Sequence, residues 1–193
     1  MRTYAVAVTT ALLLAACSEP ADTAEESVAS DAVSTAEPVR ELGTATLAGA
    51  DGKEHGTAKL TSGADGLSLA LALTGLPANE HAIHLHQTGT CDGPDFKSAG
   101  GHLNPANKSH GSMSANGQHL GDLPNITPTD GSVNETIALN WAGPDASASI
   151  FDDDGTAIVI HEAADDYKTD PSGDAGGRIA CGVLTQSADQ PQS

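Results

Sequence analysis

Leu67-Ser68-Leu69-Ala70-Leu71-Ala72-Leu73 sets a leucine at every second position with small residues between. Successive side chains of a strand point to opposite faces, so this period of two reads as a half-buried strand rather than a helix. Gly75 and Pro77 close it. The next segment, His81-Ala82-Ile83-His84-Leu85-His86-Gln87, keeps the period. Ile83 and Leu85 go to the core face, and His84 and His86 share the other, where they are free to bind something.

Working outward, Thr44 to Leu47 and Thr57 to Thr61 are strand candidates upstream, separated by Gly52 and neighbouring turn residues. Downstream, strands are expected at Ser132 to Leu139, Thr156 to His161 and Arg178 to Leu184. Many short strands, turn signals and almost no helical period indicate an all-β antiparallel sandwich or barrel. No internal repeat is visible. Two polar connections, 88–124 and 162–177, are long for a compact domain, and a loop of the first one's length needs a function or something to hold it.

The first loop region supplies a reason. Six of the eight histidines fall between His81 and Asp122, and His161 stands alone later in the chain. His84 and His86 make a two-nitrogen edge of the kind that holds copper or zinc. His102, His110, His119 and Asp122 add three imidazoles and a carboxylate, a sufficient set for closed tetrahedral zinc. A purely structural or adhesive sandwich would leave these histidines without a purpose. The formal net charge of −18 excludes the basic footprint of a nucleic-acid binder. An anionic substrate would have to find local positive charge.

The two ends differ from this core. Met1-Arg2-Thr3-Tyr4 precedes an apolar run, Ala5 to Ala16, then Cys17. One basic residue, a short apolar segment and small residues describe a secretory signal over residues 1–17; the run is too short to span a bilayer. Leu14-Ala15-Ala16-Cys17 matches a bacterial lipobox, which would make Cys17 the lipidated mature N-terminus. Residues 18–40 read as an acidic flexible tether, 41–186 as the folded domain and 187–193 as a polar tail. With Cys17 lipidated, Cys91 and Cys181 remain as a pair. In an oxidising compartment they could form a disulfide, worth about 4 to 5 kcal/mol on the chain-entropy account. The expected location is the bacterial periplasm, with a lipid anchor in the outer rather than the inner membrane, since Ser18 follows Cys17.

Four segments together carry a specific resemblance: His84-Leu85-His86, Ser98-Ala99-Gly100-Gly101-His102-Leu103-Asn104-Pro105, Gln118-His119-Leu120-Gly121-Asp122-Leu123 and Gly176-Gly177-Arg178-Ile179-Ala180-Cys181-Gly182-Val183. From about Gly43 to Thr185 the chain resembles the copper/zinc superoxide dismutase family, and most of all its exported bacterial branch. The resemblance implies an eight-stranded Greek-key β-barrel or flattened, immunoglobulin-like sandwich with long metal-binding loops. It implies copper on His84, His86, His102 and His161, and zinc on His102, His110, His119 and Asp122, with His102 shared between the metals and catalytic as a proton carrier. Asp165 would link a copper-ligand histidine to a zinc-ligand histidine. Arg178, catalytic as well, would sit beside copper and attract superoxide, with Lys168 as a second cation. His81 matches a structural position of the family and stays outside the metal set, while His55 reads as a surface histidine. The segment from Cys91 to Lys97 departs from the cytosolic pattern by the added length of Asp92-Gly93-Pro94-Asp95-Phe96. The resemblance admits a homodimer, with no membrane contact beyond the lipid. A copper- and zinc-holding lipoprotein without turnover is the alternative, disfavoured because every copper ligand and Arg178 are present.

Overall fold

The structure is a computed structural model that describes residues 38–141 and 145–188. The signal segment, Cys17, the tether up to residue 37 and the end of the tail lie outside the described residues. Eight strands form one antiparallel sheet: β1 (Arg40–Gly49), β2 (Glu54–Gly63), β3 (Gly66–Thr74), β4 (Ile83–His86), β5 (Ser132–Ala138), β6 (Ala157–His161), β7 (Arg178–Val183) and β8 (Thr185–Gln186). The leucine alternation of β3 is matched across the ladder, where Leu69 and Leu71 stand opposite Leu60 and Ala58 of β2 on one side and Ile137 and Glu135 of β5 on the other. Leu60, Leu69 and Leu73 are fully buried.

The strand order is β4-β6-β7-β1-β2-β3-β5, with β8 pairing β1. β1 joins the two halves, because its start pairs β8 through Gly43 and Thr44 and its end pairs β7 through Ala48 and Gly49. One apolar cluster draws Leu47, Leu60, Leu71, Ile83, Ile137, Ile158 and Ala180 from seven strands, so the sheet curls around this main core. It does so as a half-barrel with β4 and β5 at its ends, not as a hydrogen-bonded closed barrel. Two short helical pieces were not legible in the strand pattern. One is a 3₁₀ turn over Lys97–Ala99. The other is α1 (Ala146–Ile150), whose first turn is capped by the Asp145 carboxylate accepting from the Ser147 and Ala148 N–H groups.

The free edge of β4 explains where the functional loops go. An unpaired edge leaves backbone donors and acceptors unmet, and here two loop segments take them. Leu85 N–H donates to the Gly121 carbonyl at 2.9 Å, Leu103 N–H donates to the Leu85 carbonyl at 2.8 Å, and Gly121 N–H donates to the Leu103 carbonyl at 2.9 Å. Gln87 N–H donates to Gly101, and His81 exchanges two bonds with Ile126. The segments carrying His102 and Asp122 are therefore laid against the strand carrying His84 and His86.

Gly121 permits that approach. A Cβ at this position would stand 2.2 Å from the Leu85 carbonyl oxygen and 3.0 Å from Leu103 N, so the backbone itself would have to move. Gly121→Ala is expected to lower the stability of the metal-free protein by about 2 kcal/mol or more, measured by urea unfolding with the disulfide intact. It should also loosen the loop next to Asp122, which hydrogen exchange at Leu85 and Leu103 would register.

Candidate metal centre

The alternation of β4 and β6 sorts side chains onto two faces. Ile83, Leu85, Ile158 and Ile160 enter the main core. His84 and His86 stand opposite Val159 and Ala157 on the other face. Val159, Ala157 and Cys181 are covered there by Phe96 and Ala99, and the histidines are covered by the loops. His161 ends β6 at an irregularity in the ladder and pairs with Arg178, the first residue of β7. That pairing brings the solitary late histidine back to the cluster, a placement that only the register of β4, β6 and β7 decides.

Two groups of four ligand atoms result, each within 4.8 Å of one another and drawn from buried residues: His84, His86, His102 and His161, and His102, His110, His119 and Asp122. In the first group one ring nitrogen of each imidazole is anchored outward. His84 Nε2 donates to Asp165 Oδ2 at 2.9 Å, His86 Nδ1 to the Gly100 carbonyl at 3.0 Å, and His161 Nδ1 to the Gly176 carbonyl at 3.4 Å. His102 Nδ1 faces Asp122 Oδ1 at 2.8 Å. The other nitrogens, His84 Nδ1, His86 Nε2, His102 Nε2 and His161 Nε2, are buried without a hydrogen-bond partner. Buried polar atoms are nearly always partnered, so four converging orphans mark a place built for a Lewis acid. Their environment keeps the lone pairs free. Burial, with the neighbouring rings and Arg178 adding to it, holds His86 at about 2 and His161 at about 3. Burial also holds His102 at about 4 and lowers His84, against the pull of Asp122 and Asp165.

The second group converges on one carboxylate. His102, His110 and His119 each turn Nδ1 toward Asp122 Oδ1, at 2.8, 3.0 and 3.0 Å. Asp122 Oδ2 accepts from the Gly111 and His119 N–H groups. Outward, His119 Nε2 donates to the Lys108 carbonyl at 3.1 Å and His110 Nε2 to Asp165 Oδ1 at 3.0 Å. Burial disfavours charge on His110, but Asp122 and Asp165 outweigh it and raise the ring to about 9. Burial likewise opposes charge on both carboxylates, and their histidine partners hold them well below the usual range. Two buried carboxylates thus select positive charge at this point. Three imidazole nitrogens and one carboxylate oxygen within 4.8 Å of one another are a donor set that suits zinc. The first group, four imidazoles, suits copper.

Arg178 lines a cavity of about 450 Å³ together with His86, His102, His161, Asn104 and Asn107. Its guanidinium donates to the Phe96 carbonyl at 2.6 Å and the Gly100 carbonyl at 2.7 Å. Gly100 therefore holds both Arg178 and His86. The Cys91–Cys181 disulfide, with Cα atoms 5.7 Å apart, ties that loop to β7. Lys168 is exposed and does not line this cavity. The backbone at Tyr167 and Lys168 lies close against Gly111. His81 is fully buried and joins the His161 carbonyl at 2.7 Å and the Pro77 carbonyl at 3.2 Å. His55 contacts the Thr74 carbonyl, away from the centre. The anchors that sequence reasoning missed are mostly backbone carbonyls, those of Phe96, Gly100, Lys108 and Gly176. Every residue has a carbonyl, so composition carries no signal for them. Tyr167 and Asn125, which hold Asp165, also gave none.

Comparison with known proteins agrees with the chemistry of this site. The profile of the family described as copper/zinc superoxide dismutase matches residues 54–184. A Cu-Zn superoxide dismutase of Aquifex aeolicus is 45% identical over 137 residues, covering 69% of this chain and 81% of that protein. One from Caulobacter vibrioides is 40% identical over 146 residues, covering 73% and 84%. The crystal structure of a SOD-like protein from Bacillus subtilis superposes with a TM-score of 0.69 at 38% identity, covering 74% of this chain and 97% of that one.

The proton affinities give a pH signature for the metal-free, disulfide-bonded protein. His84, His86, His102 and His161 are depressed in the fold, so below about pH 6.5 the unfolded chain takes up protons that the folded chain refuses, and stability falls with acidification. His110 is raised, so its contribution is complete below pH 6.5 and is lost as pH rises through about 9. The melting temperature is expected to be highest near pH 7 and lower at both pH 5 and pH 9.5, as read by calorimetry.

Proposed function

Because this chain belongs to the copper/zinc superoxide dismutase family, its activity is the conversion of superoxide to oxygen and hydrogen peroxide with copper and zinc as metals, and we propose how its residues divide that work. His84, His86, His102 and His161 hold copper, and His102, His110, His119 and Asp122 hold zinc. The observation that carries this assignment is the set of four partnerless buried nitrogens, one on each residue of the first group.

When bound, copper supplies reversible one-electron chemistry, taking an electron from one superoxide and giving it to the next. The protein contributes the rest. Arg178 has two of its N–H groups fixed on the Phe96 and Gly100 carbonyls, and a guanidinium carries five. Those left over, in a cavity beside His86, His102 and His161, attract and orient a small anion. His102 presents Nδ1 to the Asp122 side and Nε2 to the copper side. Its Nε2 is the atom placed to take up a proton and hand it to the departing peroxide. Asp165 spans both groups through His84 and His110 and fixes which nitrogen of each ring faces inward.

The site of action belongs to the same proposal: export to the bacterial periplasm, with Cys17 lipidated and inserted in the outer membrane. What supports export is the Cys91–Cys181 disulfide, which persists in oxidising compartments, together with the leader-like run before Cys17. There the enzyme would protect the cell envelope.

Metal analysis and rate measurement on the full chain test the assignment. One copper and one zinc per chain are expected, with turnover lost on copper removal and restored by its return; zinc alone, with no activity after copper loading, would overturn it in favour of a metal-holding protein. His161→Ala should lose copper and activity while retaining zinc. Arg178→Ala should keep both metals yet lower kcat/KM about 10-fold at low ionic strength, the gap narrowing as salt is added. For export, Cys17→Ser should shift the protein from the membrane fraction to the soluble fraction.

A further inference from the structure

Asp165 is the carboxylate that reaches both ligand groups, with Oδ2 on His84 Nε2 at 2.9 Å and Oδ1 on His110 Nε2 at 3.0 Å. Its own position is set by a closed ring of hydrogen bonds. Tyr167 N–H donates to Asp165 Oδ1 at 2.6 Å, and the Tyr167 phenol oxygen accepts from Asn125 N–H at 2.9 Å. The Asn125 side chain completes the ring, accepting from Asp165 N–H at 2.8 Å and donating to the Asp165 carbonyl at 3.0 Å. Tyr167 also grips the zinc-side loop. Its carbonyl accepts from Met113 N–H at 3.0 Å, and Gly111 packs so closely that a Cβ there would stand 2.0 Å from that carbonyl oxygen.

Tyr167 makes these contacts at φ 63°. A bulky aromatic residue adopts the left-handed region only where its surroundings over-determine it, and such positions gather around functional sites. Backbone N–H, carbonyl and phenol each engage a different segment, namely the loop of Asp165, the loop of His110 and the stretch at Asn125. Packing alone would require none of these three polar contacts.

We propose that Tyr167 is a positioning residue for the metal pair. By locking Asp165 it keeps the Nδ1 atoms of His84 and His110 aimed inward, and so sets how tightly zinc is held. This rests on the assignment of zinc to His102, His110, His119 and Asp122.

The test uses the full, disulfide-bonded, copper-free chain. Zinc affinity is measured by competition with a chelator of known affinity, and Co(II) in the zinc position reports geometry through its visible bands. Tyr167→Phe, which removes only the phenol oxygen, is expected to weaken zinc about 10-fold and to shift the cobalt bands. Leu60→Val, in the core of β2, lowers the metal-free melting temperature without touching the ring and should leave zinc affinity unchanged. Tyr167→Gly keeps the backbone contacts, relieves the left-handed constraint and should weaken zinc at least as much as Tyr167→Phe. Native zinc affinity and native cobalt bands in either folded Tyr167 variant would overturn the inference. A native protein that takes up no zinc would instead overturn the assignment beneath it.

Discussion

The hydrogen bonds along the outer edge of β4 are the constraint on which the rest depends. A four-residue strand at the end of a sheet leaves its peptide groups open, and the segments around Leu103 and Gly121 close them. One set of backbone bonds thereby satisfies the edge, covers most of the histidine face and brings His102 and Asp122 against His84 and His86. A loop that would otherwise pay the full entropy of ordering is held by the same bonds that complete the sheet.

Burying these side chains creates an electrostatic demand. His84, His110 and Asp165 side chains are fully buried, and the Asp122 side chain is 5% exposed. Charged groups in such a place must be compensated. Asp122 and Asp165 draw positive charge to His110, and a divalent ion answers the same demand more completely. On the copper side the balance reverses: depressed basicity leaves neutral imidazoles with lone pairs turned inward. Two adjacent groups, sharing His102, thus differ in kind because one includes the carboxylate of Asp122 and the other is made of imidazoles alone.

A third chain of cause runs from the disulfide. Cys91 and Cys181 pin the departing segment Asp92–Phe96 over Ala157 and Val159, with Phe96 buried in the patch. The Phe96 and Gly100 carbonyls then fix Arg178, and Gly100 also fixes His86. In a chain of net charge −18, this one oriented guanidinium faces the cavity beside the copper group. Its value to an anionic substrate comes from being held still.

Much of this was legible in the residues themselves. The alternation in Leu67 to Leu73 and His81 to Gln87 determines strands and faces, because side-chain direction in a strand is a local property of the backbone. The four motif segments identify the family and, through it, the eight-stranded Greek-key architecture. What local chemistry could not decide was everything set by register and close approach. The return of His161 beside Arg178 depends on how β6 pairs β7. The open half-barrel depends on which strands end the sheet, and Lys168 falls outside the lining of the cavity. The anchoring carbonyls of Gly100, Lys108 and Gly176 belong to the backbone, which is chemically alike at every residue. Sequence determined which groups were available; the tertiary structure decided which of them meet, because contacts between residues distant along the chain are fixed only by how the sheet and its loops pack.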